Sequence, residues 1–174
     1  MAALNYAMES AMSAVRRGLE PLIPALRRFA RALARDAEIA DDLVQDTLVR
    51  ALRAEHLFHG GDLRTWLFTI LINLDRNRRR GLARRPVLAV IEELEPPGPP
   101  GSDGSSHDIA RGLALLPAEQ REVLLLAAVE ELRYEEIARV LAIPIGTVMS
   151  RLSRARDKLK RMAAEPPTPL KIVR

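Results

Sequence analysis

The chain has 174 residues, enough for one or two compact domains, and a formal net charge of only +4. Only 3% of the residues are aromatic, and this composition favours an all-α protein packed through aliphatic side chains over strands. The absence of cysteine excludes disulfides and thiolate chemistry, and no stretch approaches the ~18 apolar residues of a membrane span, so we expect a cytoplasmic protein without membrane insertion.

The charges are strongly segregated along the chain. Residues 36–46 contain five acidic residues and no basic one. Residues 76–85 contain six arginines and no acid, and residues 151–161 contain six basic residues against one acid. This pattern predicts contact with a polyanion at two separate places and a possible basic partner for the acidic segment.

The first half contains an acidic amphipathic helix. We predict helices near residues 8–19, 21–35, 38–55 and 62–80. The core face of the third predicted helix, 38–55, consists of Ile39, Ala40, Leu43, Val44, Thr47, Leu48 and Ala51. Its opposite face carries Glu38, Asp41, Asp42, Gln45, Asp46 and Val49. An apolar residue ringed by charge is typical of a small interface, although a solvated face with one incidental valine explains the same pattern.

The next helix combines an apolar stripe with a polar one. Its expected core residues are Trp66, Leu67, Ile70, Leu71 and Leu74. Thr69, Asn73, Arg76 and Arg80 share another face, with Asn77 beside it. Asparagine can read a base edge and arginine can bind phosphate, but capping or solvent exposure also accounts for the asparagines.

A Pro-, Gly- and Ser-rich segment divides the chain. Residues 95–106 cannot bury enough apolar surface to fold and are predicted to be flexible. We therefore predict domains at 8–86 and 107–163, a linker at 87–106 and a disordered tail at 164–174. The second domain should contain helices near 107–115, 118–131, 134–141 and 145–163.

The strongest motif lies in this second domain. A short helix, Tyr134 to Leu141, is followed by the turn Ala142-Ile143-Pro144 and a longer helix beginning at Ile145, which is helix-turn-helix spacing. One face of the longer helix is apolar, with Val148, Leu152, Ala155 and Leu159. The other carries Thr147, Ser150, Arg151, Arg154 and Lys158, side chains suited to bases and phosphates. A solvated basic face on an ordinary helical hairpin is the alternative.

Two segments resemble one family. The string LPAEQREVLLL…YEEIARVLAIPIGTVMSRLSRARDKL resembles the σ4 domain of extracytoplasmic-function (ECF) RNA polymerase sigma factors, whose helix-turn-helix reads the minus-35 promoter box. ADDLVQDTLVRAL and LRTWLFTILIN resemble parts of the σ2 domain, including its polymerase-docking helix and its minus-10 reading segment. Met149, often Lys or Arg in relatives, and Ala142, usually Gly, depart from the σ4 pattern.

The resemblance implies a promoter-specific transcription initiation factor controlled by an anti-sigma factor, and its σ2-like segments are similar to those of the α-proteobacterial general stress response subgroup. Its implied core polymerase contacts are the β′ coiled coil and the β flap, with Asp42, Gln45, Asp46 and Val49 on the β′ side. The implied DNA contacts are Asn73, Arg76, Asn77 and Arg80 for the melted minus-10 strand, and Thr147, Ser150, Arg151, Arg154 and Lys158 for the minus-35 duplex. Asn73 and loop 58–63 would form a pocket for a flipped base.

No pattern indicates an enzyme, and we expect no catalytic residue, metal or cofactor. His56, His59 and His107 lack metal-site spacing. Two other functions stay open: a stand-alone helix-turn-helix regulator, and a mimic that sequesters an anti-sigma factor. The linker, roughly 20 Å long as a coil and up to about 40 Å when stretched, predicts several interdomain arrangements in the free chain and one closed form with an inhibitor.

Overall fold

The computed structural model describes residues 15–83 and 104–164, and within these ranges all regular structure is helical. The helices of the first half are α1 (Ile23–Ala34), α2 (Ala37–Arg53) and α3 (Leu63–Ala83). Those of the second half are α4 (Gly104–Leu115), α5 (Ala118–Ala128), α6 (Tyr134–Leu141) and α7 (Ile145–Ala164). Residues 15–19 are also helical and lead into a 3-10 turn at Glu20–Leu22. The all-α prediction is confirmed.

Local signals fix several helix ends. Asp36 caps α2, since its carboxylate accepts a hydrogen bond from the backbone N–H of Ile39 at 2.9 Å. Asp62 does the same for α3, accepting from the backbone N–H of Arg64 at 3.0 Å. Arg35 at the end of α1 adopts the left-handed conformation, with φ of 66°, which turns the chain into α2. Short connections therefore join α1, α2 and α3 into one bundle.

The first-half core agrees with the predicted face of α2 and differs on α3. Ala40, Leu43, Val44, Thr47 and Ala51 are buried, and Ile39 and Leu48 are half-buried. On α3, Leu67 and Leu71 are buried as predicted, but Trp66, Ile70 and Leu74 are only half-buried. Phe68 and Ile72, which lay outside the predicted stripe, are fully buried. The difference arises because α3 packs against α1 and α2 and also against α6 of the second half.

The second half is a helix-turn-helix supported by α5. Val148, Leu152 and Ala155 of α7 are buried as predicted, and α7 packs on both α5 and α6. The predicted turn is present: Ala142 is left-handed with φ of 53°, and Ile143 donates its N–H to the carbonyl of Ala138 at 3.1 Å. Glu136 caps the start of α6 by accepting from the backbone N–H of Arg133 at 2.7 Å.

The two halves are packed against each other. Helix α3 contacts α6, helix α1 contacts α5, and one continuous set of buried apolar residues runs through both halves. Burying each large aliphatic or aromatic side chain contributes about 1.5–3 kcal/mol, so this shared core favours closure. The predicted linker lies mostly outside the described residues, but α4 begins at Gly104, inside its predicted range. None of the helices in the described residues is long and apolar enough to cross a membrane.

Candidate nucleic-acid interface

The helix α7 presents its outer face to solvent. Its buried residues Val148 and Leu152 fix its rotation against α5 and α6, so the opposite side must point outwards. Ser150 and Arg154 are exposed, while Thr147 is half-buried. The Ser150 hydroxyl donates to the carbonyl of Thr147 at 3.1 Å, a local bond that a base or phosphate can replace. This face can enter a DNA major groove.

Two of the predicted contacts turn towards the α4–α5 connection instead. The Arg151 guanidinium lies 2.6 Å from the Glu119 carboxylate, and its side chain is 20% exposed. The Lys158 ammonium donates to the carbonyl of Leu115 at 2.7 Å. Both side chains therefore bind groups within the second half. Arg154 is the most exposed of the three basic residues predicted as contacts on α7.

Other residues on α7 were not predicted as contacts. Met149 and Ile145 are large apolar residues with 54% and 41% exposure at the start of the helix. Ser153 and Arg156 are exposed beside Met149 and line a shallow groove of about 280 Å³ next to Tyr134. Their helical spacing from Met149, four and seven residues, was the sequence signal that could have identified this edge.

The predicted polar stripe on α3 is divided between solvent and the contact between the halves. Asn73 is exposed, and the Arg80 guanidinium donates to the Asn77 side-chain oxygen at 2.6 Å on the surface. Thr69 donates its hydroxyl to the carbonyl of Thr65 at 2.9 Å, so it is satisfied within the helix. Arg76 lies 2.6 Å from the Glu122 carboxylate of α5. The structure therefore leaves Asn73, Asn77 and Arg80 on the surface and places Arg76 at the contact.

Buried carboxylates organise the basic surface of α3. Asp75, which is buried, pairs with Arg79 at 2.8 Å and with Arg78 at 3.3 Å. Glu122 accepts from Arg79 at 2.5 Å as well as from Arg76. Burial by itself lowers the pKa of the Arg79 guanidinium, but Asp75 and Glu122 outweigh it and raise that pKa above its ordinary value. The Arg79 guanidinium therefore remains charged.

The loop before α3 has a fixed base and an open tip. Phe58 is buried and packs on Trp66, with the ring centroids 5.2 Å apart. Gly60 and Gly61 have φ of 90° and 96°, conformations that side-chain-bearing residues rarely adopt, and nothing lies within 4 Å of a Cβ built on either. This leaves open space beside the start of α3.

The acidic face of α2 is on the surface. Asp42, Gln45 and Asp46 are exposed, and Val49 is 45% exposed. Leu52, one turn further on and absent from the predicted set, is 42% exposed and extends the apolar patch. An apolar centre with acidic neighbours can bind a basic surface that carries its own apolar residues.

Both halves of the chain match families of known proteins. The family model described as Sigma-70, region 4 matches residues 106–159, and the model described as the Sigma2 domain of PhyR matches residues 19–72. The ECF RNA polymerase sigma factor EcfG of Rhodopseudomonas palustris is 38% identical over 146 residues, which cover 80% of this chain and 80% of EcfG. The chain belongs to the ECF sigma factors of RNA polymerase.

Further sigma factors resemble it in sequence and in structure. HrpL of Pseudomonas syringae pv. syringae, an RNA polymerase sigma factor, is 35% identical, covering 87% of this chain and 88% of its own. A co-crystal structure of the sigma factor RpoE with the anti-sigma factor NepR from Bartonella quintana superposes with a TM-score of 0.72. It is 34% identical and covers 86% of this chain and 96% of that chain. The α1–α3 bundle is thus the σ2 domain of this sigma factor, and α4–α7 the σ4 domain.

Proposed function

We propose that this sigma factor binds core RNA polymerase and directs it to promoters that it reads through two surfaces. The outward face of α7, with Thr147, Ser150 and Arg154, would contact the minus-35 duplex. The surface of α3 with Asn73, Asn77 and Arg80 would contact the melted minus-10 strand. The observation that carries the proposal is the presence, in one chain, of σ2 and σ4 domains that each expose a surface suited to DNA.

The assigned contacts follow from the chemistry of the exposed groups. Guanidinium groups bind guanine edges or phosphates bidentately, and amide side chains both donate to and accept from a base. Arg151 and Lys158 would contribute less directly, because Glu119 and the Leu115 carbonyl already hold them. Arg76 would reach the minus-10 strand only after it leaves Glu122.

The acidic face of α2 is proposed as the polymerase-docking surface. Asp42, Gln45 and Asp46 surround the exposed Val49, and this combination suits the basic β′ coiled coil of core polymerase. We assign the β flap to the σ4 domain.

An anti-sigma factor is proposed as the inhibitor. RpoE of Bartonella quintana was crystallised with the anti-sigma factor NepR, which supports similar control of a stress regulon here.

Transcription by purified core polymerase tests the proposal. A library of promoters with randomised minus-35 and minus-10 boxes is transcribed with and without the chain, and the RNA is sequenced. Recurrent upstream sequences should appear only when core polymerase and the chain are both present. Asp46→Arg should reduce these transcripts, whereas Glu20→Arg, the same reversal at another exposed position of the first half, should not. A chain that yields no promoter-specific RNA with core polymerase would be incompatible with the proposal.

A sigma mimic is the second candidate, favoured by the match of residues 19–72 to the Sigma2 domain of PhyR. A mimic needs no DNA-reading face, but the basic outer face of α7 is exposed and the EcfG likeness covers both halves. The same transcription experiment separates the two candidates, since a mimic would bind an anti-sigma factor and support no transcription. A stand-alone regulator would instead bind its duplex tightly without polymerase.

A further inference from the structure

Two buried carboxylates of the σ4 domain are held by four arginines of the σ2 domain. Glu122 is bound by Arg76 at 2.6 Å and by Arg79 at 2.5 Å. Glu130, directly beyond α5, is bound by Arg64 at 2.7 Å and by Arg28 at 3.0 Å. We call this set of two glutamates and four arginines the interdomain clasp.

The acidic and basic members of the clasp differ in their exposure to solvent. The two glutamate side chains are at most 1% exposed, whereas the four arginine side chains are 27–54% exposed. A buried carboxylate without a cation is strongly disfavoured, so each glutamate depends on its arginines while the domains are closed. The arginines, in contrast, can be hydrated or can bind another anion without leaving their domain.

Promoter DNA requires an arrangement that the closed chain does not provide. Boxes centred near minus-35 and minus-10 are about 25 base pairs apart, or roughly 85 Å at about 3.4 Å per base pair. A compact chain of 174 residues is only about 40 Å across. The two domains must therefore separate before both boxes are read, and separation breaks every pair in the clasp.

Carboxylate and phosphate groups bind a guanidinium group in the same way. Both are oxyanions that a planar guanidinium binds through paired N–H donors, and charge-assisted pairs of this type are among the strongest hydrogen bonds. Arg76 lies one turn after the exposed Asn73 on α3, so the side chain that Glu122 holds adjoins the proposed single-strand surface. In the closed chain, Glu122 therefore already binds an arginine that adjoins the proposed single-strand surface.

We propose that Glu122 and Glu130 hold the free chain closed, and that Glu122 acts as an intramolecular substitute for a DNA phosphate, keeping Arg76 and Arg79 from single-stranded DNA until the domains separate. The competing ligand is the phosphate backbone of single-stranded DNA. The identity of that ligand rests on the proposed function, whereas the closure by the clasp does not.

Fluorescence energy transfer measures the closure directly. The sequence has no cysteine, so His56→Cys and Ala163→Cys, at exposed positions in the two domains, accept a dye pair without side reactions. The chain should be mostly closed, and Glu122→Gln with Glu130→Gln should increase the open-to-closed ratio about tenfold or more. The control, Glu131→Gln with Glu135→Gln, removes the same charge from exposed positions of σ4 and should leave the ratio unchanged.

Binding of a mixed-sequence 20-nucleotide single-stranded DNA is the second measurement. The Glu122/Glu130 variant should bind it about five- to tenfold more tightly than the parent chain, and the control variant should gain only the small effect of two lost charges. The DNA should also open the parent chain. Equal affinities and equal distance distributions for both double variants, or DNA binding that leaves the domains closed, would overturn the proposal.

A second variant tests the clasp if the double glutamine variant does not fold. If circular dichroism shows that the double glutamine variant has lost helix, Arg28→Gln with Arg64→Gln is used, because these partly exposed side chains lie outside the σ2 core. It leaves Glu130 buried without a cation and should open the chain, and an unchanged closed population would again overturn the clasp. Failure of the chain to support transcription would refute the proposed function without altering these distances.

Discussion

Replacing Arg154 by alanine is expected to relax promoter specificity, because this exposed guanidinium extends from the outer face of α7. Arg151, three residues earlier on the same helix, provides a matched comparison. Its guanidinium is paired with Glu119 at 2.6 Å and is directed towards α5. The two substitutions remove the same charge from one helix, so a difference in promoter specificity between the two variants reports on the orientation of the arginine side chains alone.

Arg154→Ala should change the discrimination between bases, whereas Arg151→Ala should change mainly the stability of the fold. One bidentate arginine contact with guanine contributes about 1–3 kcal/mol of discrimination, so the preference of Arg154→Ala for the correct base should fall about 5- to 160-fold. Arg151→Ala loses an ion pair whose glutamate is 66% exposed, which contributes at most about 1 kcal/mol to stability. Its discrimination between bases should change little.

Transcription from promoters altered one base at a time in the minus-35 box measures both effects. Arg154→Ala should equalise transcription from variants at one or two positions and leave the other positions discriminated. Equal losses on every promoter would mean that Arg154 binds only phosphate. A larger loss of discrimination in Arg151→Ala than in Arg154→Ala would refute the orientation inferred for α7.

Four further outcomes are expected. Asp46→Arg should weaken binding to core polymerase about 5- to 10-fold with the fold intact by circular dichroism, and an unchanged pull-down would remove α2 from the interface. Ala142→Gly should raise the free energy of unfolding in urea by about 0.5–1 kcal/mol, since glycine relieves the left-handed φ of 53° but adds freedom to the unfolded chain; a decrease would contradict the turn geometry. Hydrogen bonds from the backbone and side chain of Arg133 lower the pKa of Glu136 in the folded state. The charged Glu136 therefore stabilises the fold fully above about pH 4.3, the pKa in the unfolded chain, and this stabilisation is lost as the pH falls through the lower pKa of the folded state. Melting curves of Glu136→Gln should therefore approach those of the parent chain in acid, and a pH-independent difference would exclude the cap as its source. If Met149 contacts a thymine methyl, replacing that thymine by uracil in the minus-35 box should lower transcription about fourfold, the effect of one buried methyl, and this sensitivity should vanish in Met149→Ala.

Local sequence was sufficient for the elements that local interactions determine. The helix-turn-helix was predicted with the start and end of its first helix at Tyr134 and Leu141, because a short turn containing Pro144 separates two periodic segments there. The buried faces of α2 and α7 were predicted because each helix buries a single stripe, which a period of 3.6 residues reveals.

The sequence alone therefore indicated the all-α class, the two domain types and a set of candidate DNA-binding residues. Only the tertiary structure decided which of those residues face solvent, because the deciding contacts join distant segments. Phe68 and Ile72 are buried since α3 packs on helices from both domains. Arg76 pairs with Glu122, 46 residues away, and no periodic pattern in either segment encodes that pair. Side-chain periodicity reports the faces of a helix, whereas the partner of each face is set by how the helices pack.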